Sequence, residues 1–178
     1  VATCGGGLYE SEATRSSIIG NSASYYSSCS GGGTFASALY QCLVQGNSVS
    51  ISAGLTENDE GRGGGVYGGE AHNCLIRLNS VNTRGYKLVR SYGGGACDAV
   101  IYNSIIYDNS LYVSGQVPIE TYACGAGVSG GSIFNSIVYM NWSPTVVYDY
   151  FNGWTGGYDD VNGDANNSCA ANLSHGVD

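Results

Sequence analysis

Five glycine-rich triplets recur along this chain, and an asparagine follows each of them at a fixed distance. The asparagine always lies sixteen residues after the first glycine and three residues after an Ile or a Val. The five units are Gly5-Gly6-Gly7 with Asn21, Gly31-Gly32-Gly33 with Asn47, Gly63-Gly64-Gly65 with Asn79, Gly93-Gly94-Gly95 with Asn109, and Gly125-Ala126-Gly127 with Asn141. Repetition at a period of about 20 to 50 residues is typical of solenoids, in which each repeat packs only against its neighbours.

The residues that precede each asparagine have the character of a short β-strand. β-branched residues alternate there with other types and are bounded by Gly, Ser and Asn. This period of two predicts an inward-facing row of Ile18, Val44, Ile76, Ile106 and Val138. We expect the asparagines to form a ladder that closes the strands, since Asn tolerates the left-handed conformation and its amide can pair with neighbouring copies. The predicted fold is all-β, a right-handed parallel β-helix of about five coils.

The regular pattern ends after Asn141, where Trp142, Trp154 and several tyrosines replace it. The terminal repeat of a solenoid must cover an open edge. We therefore predict β-helix repeats over residues 1–143 and an aromatic C-terminal cap, or an irregular final coil, over residues 144–178. Because the chain begins at Val1 and in the middle of a coil, we expect it to be a piece of a longer secreted protein.

Composition excludes two classes of partner. The net charge is −8 and only six residues are Lys or Arg, so the basic surface that nucleic-acid binding needs is absent. No stretch approaches the roughly 18 apolar residues of a membrane helix, and membrane insertion is not expected. Seven cysteines in a chain of this size favour an oxidising compartment, which predicts a secreted or cell-surface protein.

The cysteines fall at repeat positions that predict which coils they join. The candidate disulfides are Cys4 with Cys29, which precede successive glycine triplets, and Cys97 with Cys124, which flank adjacent coils. Cys169 in the tail is an alternative partner for either pair. Cys42 and Cys74 occupy the position where the other units carry Ser16, Ser104 and Ser136. These two are predicted to join a buried ladder of small residues, with a disulfide as the alternative.

The two motifs together resemble a known group of proteins. A Gly-Gly-Gly-apolar motif combined with Ile/Val-x-x-Asn is similar to the repeats of polymorphic right-handed parallel β-helix proteins of bacterial surfaces, including autotransporter adhesin passengers. The copy at residues 63–67 and 73–80 resembles still more closely the Gly-rich repeats of very large secreted proteins of environmental bacteria, and the resemblance covers roughly residues 4 to 143. It implies a β-helix and an adhesive or structural role at the cell surface, and it carries no catalytic residues.

The outward positions of the main strand are unusually apolar. They predict an assembly face that comprises Leu43, Leu75, Ile105 and Ile137 in one row, with Ile19, Tyr107 and Tyr139 in another. A contiguous exposed apolar patch usually marks a partner surface. We therefore expect a non-catalytic extracellular structural protein, either a self-assembling filament or a surface adhesin segment. Association of copies is expected head to tail or laterally, and a host or matrix glycan or protein is the other predicted partner.

A polysaccharide-binding protein or a pectate-lyase-like enzyme is the alternative. Acid, base and metal-binding carboxylates would have to stack across adjacent coils for such chemistry. Glu70, Arg77 and Asp108 are the candidates, yet their repeat phases differ and no carboxylate recurs at one position in successive coils. We therefore expect no enzymatic activity and no catalytic site.

The polar run of Asp160, Asn162 and Asp164 supplies oxygen ligands at alternate positions, as a calcium site does. Ala165 stands where such loops need glycine, and Ala171 stands where they need a bidentate acid. A polar turn is the favoured interpretation, so the sequence predicts no metal and no other cofactor.

Overall fold

Parallel strands stacked on one another form the body of the molecule. The computed structural model describes residues 5–52, 58–85, 88–115, 120–149, 153–158, 161–166 and 169–170. These residues form a parallel β-solenoid of about four turns, and no helix occurs among them. The all-β solenoid prediction is confirmed. Five triplets mark the limits of four complete turns, whereas about five coils were predicted. Measured from one repeat asparagine to the next, the turns contain 26, 32, 30 and 32 residues.

The strands are numbered along the chain, coil by coil. The first coil contains β1 (Leu8–Tyr9), β2 (Glu12–Thr14), β3 (Ser17–Ile19), β4 (Ser22–Tyr25) and β5 (Ser28–Ser30). The second contains β6 (Thr34–Tyr40), β7 (Leu43–Gln45), β8 (Ser48–Ile51) and β9 (Asn58–Arg62). The third contains β10 (Val66–His72), β11 (Leu75–Arg77), β12 (Ser80–Gly85) and β13 (Leu88–Tyr92).

The remaining strands complete the stack. The fourth coil contains β14 (Ala96–Cys97), β15 (Val100–Tyr102), β16 (Ile105–Tyr107), β17 (Ser110–Gly115) and β18 (Glu120–Cys124). The last part of the chain contains β19 (Val128–Phe134), β20 (Ile137–Tyr139), β21 (Trp142–Asp149), β22 (Gly153–Tyr158), β23 (Val161–Asn166) and β24 (Cys169–Ala170).

Four sheets run along the solenoid. Sheet A follows the glycine triplets and contains β1, β2, β6, β10, β14, β15, β19 and β23. Sheet B contains β3, β7, β11, β16, β20 and β24, and ends each time just before a ladder asparagine. Sheet C contains β4, β8, β12, β17, β21 and β22, and sheet D contains β5, β9, β13 and β18.

The pairing pattern changes near the C-terminus. Sheet C ends in the antiparallel pair β21–β22, whereas β23 and β24 continue sheets A and B in parallel. Regular stacking thus extends past residue 143 in two of the sheets. For β21 beyond Ser143, for β23 beyond Val161, and for all of β22 and β24, only the backbone pairing is described. The cap predicted over residues 144–178 therefore remains a prediction.

The core lies inside the coil, where sheets A, B and C face one another. The predicted inner row of Ile18, Val44, Ile76, Ile106 and Val138 is buried throughout, which confirms the assignment of that face. Leu39, Ile101 and Ile133 of sheet A pack in the same cluster. A second cluster comprises Val49, Ile51, Val81 and Leu111 of sheet C with smaller residues around them.

The five asparagines form the predicted ladder, and Asn79 shows its geometry. Its Oδ1 accepts hydrogen bonds from the backbone N and from Nδ2 of Asn47, at 2.9 and 3.0 Å. Its Nδ2 donates to the Val44 carbonyl at 3.1 Å and to Asn109 Oδ1 at 2.9 Å. Each amide therefore joins its own coil to the coils on both sides, and Asn47 and Asn79 are fully buried.

The glycine triplets face this ladder across the inside of the coil. A Cβ added to Gly65 would lie only 2.9 Å from Asn79 Nδ2, and Gly33 and Gly95 stand in the same relation to their own asparagines. A Cβ on Gly64 would lie 2.4 Å from the Ser80 carbonyl oxygen. The corner at the glycine triplet and the corner at the asparagine must meet in the interior of the coil. This requirement explains why sixteen residues always separate the first glycine of a triplet from its asparagine.

The left-handed residue at this corner differs from the prediction. The residues with positive φ are those that precede the asparagines, namely Gly20 (67°), Gly46 (63°), Leu78 (55°), Asp108 (53°) and Met140 (55°). The prediction that Asn itself takes this conformation is wrong. The chain bends one residue earlier because the amide of the asparagine points into the core, where it meets the backbone of the neighbouring coils.

We expect Asn79→Ala to lower the free energy of unfolding by about 3 kcal/mol or more. The change removes a partner from the buried Asn47 N and from the Val44 carbonyl, and each unsatisfied group costs about 1–3 kcal/mol. The control Asn73→Gly lies at an exposed corner with a φ of 54° and should cost less than about 1 kcal/mol. Urea unfolding measures both, and equal losses would contradict the role of the ladder.

The middle glycine can be tested against a corner glycine. Gly64→Ala places a Cβ 2.4 Å from the Ser80 oxygen and 2.5 Å from the Gly94 oxygen, so we expect a loss of about 3 kcal/mol or failure to fold. Gly46→Ala meets no atom within 4 Å and carries only the cost of a positive φ, about 1–2 kcal/mol. Thermal unfolding of the two variants would refute this account if Gly46→Ala were the more damaging.

Candidate interaction surfaces

The outer face of sheet B carries the predicted assembly face. Leu43, Leu75, Ile105 and Ile137 occupy one row in register through four coils. Ile105 and Ile137 are 40% and 48% exposed, whereas Leu43 and Leu75 are half-buried. The sequence-predicted row therefore exists, and its exposed part lies toward the C-terminal coils.

A second row on the same face combines polar and aromatic groups. Arg77 Nε donates to Gln45 Oε1 at 2.8 Å, and Arg77 Nη1 donates to the Tyr107 hydroxyl at 2.6 Å. The Tyr107 and Tyr139 rings stack with centroids 5.3 Å apart. Ile19, at the first coil, is 51% exposed. The structure thus places Tyr107 and Tyr139 beside the aliphatic row. The Arg77 guanidinium lies in the same row and is hydrogen-bonded to uncharged side chains.

Sheet A displays an aromatic column that the sequence analysis missed. The rings of Tyr40, His72, Tyr102 and Phe134 stack on successive coils at centroid distances of 5.0, 4.6 and 4.9 Å. A signal for it is present in the chain, since each of the four directly precedes Gln41, Asn73, Asn103 or Asn135 at one repeat position. Because the rings stack on one another, they present mainly their edges to solvent.

A carboxylate lies beside this column. The Tyr40 hydroxyl donates to Glu70 Oε1 at 2.8 Å, and His72 Nε2 lies 3.2 Å from Glu70 Oε2. The hydrogen bond to Glu70 raises the pKa of Tyr40, and the bonds from Tyr40 and His72 lower the pKa of Glu70. Glu70 is therefore held ionised on the outer surface by its two aromatic neighbours.

The predicted bridge between Cys97 and Cys124 is wrong. Cys97 is a buried free thiol, and strand register explains why. The residue opposite Cys97 on the next coil is Ser129, whereas the residue opposite Cys124 on the preceding coil is Tyr92. The two cysteines therefore lie on different sheets, on either side of a glycine corner. Cys4 lies outside the described residues, as do residues 171–178 that follow Cys169. The Cys4–Cys29 bridge therefore stays a prediction.

Cys42 and Cys74 join the predicted ladder of small residues. Cys74 N donates to Ser104 Oγ at 3.0 Å, and Ser104 N donates to Ser136 Oγ at 3.0 Å. Cys42 N lies 3.5 Å from Cys74 Sγ in the same arrangement. Both cysteines are free, buried thiols, so they continue the serine pattern.

The residues considered for catalysis or metal binding are dispersed. Glu70 lies on sheet A, Arg77 lies on sheet B, and Asp108 lies at the exposed corner that follows sheet B. Within the described ranges no group of three or more His, Cys, Asp or Glu side chains is placed to hold a metal ion. Asp160 lies outside the described residues. Asn162 and Asp164 lie on β23, an extended strand paired with β19, where a polar turn was predicted.

The fold and these surfaces define a parallel β-solenoid in which the outward face of sheet B carries an apolar row. No protein-family model, curated protein or solved structure matches the chain. Among the residues described, no helix is long and apolar enough to span a membrane.

The buried thiols give a pH prediction. Burial raises the pKa of Cys74 to about 11 from an ordinary value of 9.0, and burial also raises the pKa of Cys97. The neutral thiol is favoured in the fold, so its stabilising contribution is complete below pH 9 and is lost as the pH rises through about 11. We expect iodoacetamide to leave Cys74 and Cys97 unmodified in the native protein at pH 8 and to modify both in urea.

Mass spectrometry of the alkylated peptides measures this difference. The variant Cys74→Ser keeps a hydroxyl in the ladder, as at Ser104, and its stability should fall less between pH 9 and 11 than that of the wild-type protein. Rapid native labelling of Cys74 at pH 8 would show that the thiol is not protected by burial.

Proposed function

We propose that this chain is a non-catalytic structural segment that associates laterally with other copies through the outer face of sheet B. The observation that carries the proposal is the in-register apolar row, in which Ile105 and Ile137 remain 40% and 48% exposed. Apolar surface gains about 25 cal/mol for each Å² removed from water. A flat sheet face with this composition supports a protein partner more than it supports a solvated surface.

A second copy is the partner that the face fits best. Its two rows contain no carboxylate, and their one charged side chain, Arg77, hydrogen-bonds to Gln45 and Tyr107. These partners are neutral, so the guanidinium must keep contact with water when two faces meet. The face spans five strands at a spacing of about 4.8 Å. Such a narrow contact is smaller than the roughly 800 Å² per partner of stable interfaces, which favours weak pairing that strengthens when many coils align.

The same proposal includes a location for the protein and a group of proteins that it resembles. We place it outside the cell or on the cell surface, on the basis of its seven cysteines and its resemblance to adhesin repeats. A role as an adhesin segment, with a host or matrix molecule on the same face, is the other form of this function. The dispersal of Glu70, Arg77 and Asp108 over two sheets and a corner supports a role without catalysis.

Sedimentation velocity over a range of concentrations tests self-association, with negative-stain electron microscopy of the same samples with and without reductant. We expect the wild-type protein to associate as its concentration rises. The double variant Ile105→Thr/Ile137→Thr keeps β-branched residues on the strands but removes apolar surface, and it should stay monomeric under the same conditions.

The matched control is Val100→Thr, an outward β-branched position on sheet A, which should associate like the wild-type protein. A wild-type protein that stays monomeric at every concentration would refute the proposal. Association of the double variant at wild-type strength would show that another surface is used.

A further inference from the structure

A groove runs along the corner between sheets A and B. It is shallow and open to solvent, with a volume of about 440 Å³. Its lining residues are Gln41, Cys42, Leu43, Asn73, Cys74, Leu75, Asn103 and Ile105. Three successive coils therefore contribute equivalent side chains, and the groove repeats with the solenoid.

One wall of the groove is a row of amides. Gln41, Asn73 and Asn103 line the groove, and Asn135 occupies the same position on the next coil. The φ values of the four residues are 56°, 54°, 49° and 49°. All four are exposed, and their side-chain amides make no hydrogen bond to any residue in the described part of the chain. The left-handed backbone accounts for the choice of Asn, but it leaves four amides free to bind a ligand at intervals of one coil.

The other wall is aliphatic. Leu43, Leu75 and Ile105 form it, while the floor carries the buried thiols of Cys42 and Cys74. Those thiols already contact backbone groups of their own ladder. A ligand in this groove would meet hydrogen-bonding groups on one side and apolar surface on the other, with both repeating about every 4.8 Å.

The spacing of about 4.8 Å between coils distinguishes a peptide ligand from a polysaccharide ligand. An extended peptide advances about 3.3 Å per residue, so its equivalent side chains recur at about 6.7 Å and fall out of step with the coils. A pyranose ring is close to one coil spacing in length and carries polar hydroxyls as well as an apolar C–H face. The protein's net charge of −8 and the ionised Glu70 on the outer surface of sheet A disfavour an acidic polymer.

We propose that this groove binds an uncharged, unbranched polysaccharide, with one sugar residue per coil. The amides of Gln41, Asn73, Asn103 and Asn135 hydrogen-bond to its hydroxyls, and the aliphatic wall packs against its C–H face. The stacked rings of sheet A present mainly their edges, so the amides rather than ring faces determine binding. The aliphatic wall of the groove belongs to the row that the proposed self-association uses, with Ile105 common to both, whereas the amides lie outside that row.

Isothermal titration calorimetry with short neutral oligosaccharides tests the proposal. The probes are β-1,4-linked glucose, mannose and N-acetylglucosamine oligomers of two to six residues, with oligogalacturonate as the acidic counterpart. We expect at least one neutral series to bind, with an affinity that rises up to about four sugar residues and then levels. Failure of every neutral series, or tighter binding of oligogalacturonate, would overturn the proposal.

Variants that keep the backbone identify the amides as the binding groups. Asn73→Gly/Asn103→Gly removes two amides, and glycine adopts positive φ without strain, so we expect about a tenfold or greater loss of affinity. The control Asp108→Gly changes another left-handed corner, with a φ of 53°, and should bind like the wild-type protein.

Circular dichroism and thermal unfolding confirm that each variant is folded before binding is measured. Wild-type affinity in the folded double glycine variant would overturn the assignment. The folded Asn73→Gly/Asn103→Gly variant keeps Ile105 and Ile137, so its self-association should persist even where its glycan binding is lost. The two proposals can therefore fail independently.

Discussion

The buried asparagine amide is the interaction on which the rest of the structure depends. Asn79 accepts from one coil, donates to another and also reaches the Val44 carbonyl, all within the interior. A parallel solenoid must satisfy the backbone groups of its corners away from water, and an unsatisfied buried group is costly. Each asparagine provides one donor group, Nδ2, and one acceptor group, Oδ1, so every coil has both at the same position. Its neighbours are then constrained, because only glycine leaves room opposite it.

That constraint explains both the regular and the irregular parts of the chain. The arm from glycine to asparagine has a fixed length because its ends meet inside the coil. The arm from asparagine to the next glycine passes through sheets C and D and varies, which makes the turns 26, 32, 30 and 32 residues long. The outer positions are free of the constraint. Sheet B uses them for aliphatic residues and sheet A for stacked rings, so different surfaces arise on one scaffold.

Much of this architecture could be predicted from the sequence because the inner positions repeat. The row from Ile18 to Val138 and the asparagine ladder were both found from their phase alone. The backbone bend was misplaced by one residue, because residue type favours Asn over Leu78 or Met140 at positive φ, whereas the packing of the buried amide places the bend one residue earlier. The Cys97–Cys124 bridge failed because nearness to a glycine triplet does not show on which side of the corner a cysteine lies. Strand register, which the sequence does not state, separates them.

The candidate surfaces were predicted less completely. The sheet B row was found because it alternates with the buried one, but the degree of exposure depends on neighbouring side chains. The ring column of sheet A was missed, although Tyr40, His72, Tyr102 and Phe134 share one phase, because His interrupts the pattern of residue types. The groove depends on the angle between two sheets, and neither periodicity nor composition gives that angle.

The identical environment of each ladder asparagine has a consequence for how such a chain can change in length. A coil added or deleted as a whole, from one glycine triplet to the next, would present the same amide, the same glycine and the same strand edges to its new neighbours. The core would not need to be redesigned at the junction. Tandem duplication of about thirty residues is therefore a route by which this protein can lengthen while each surface row simply gains one more step.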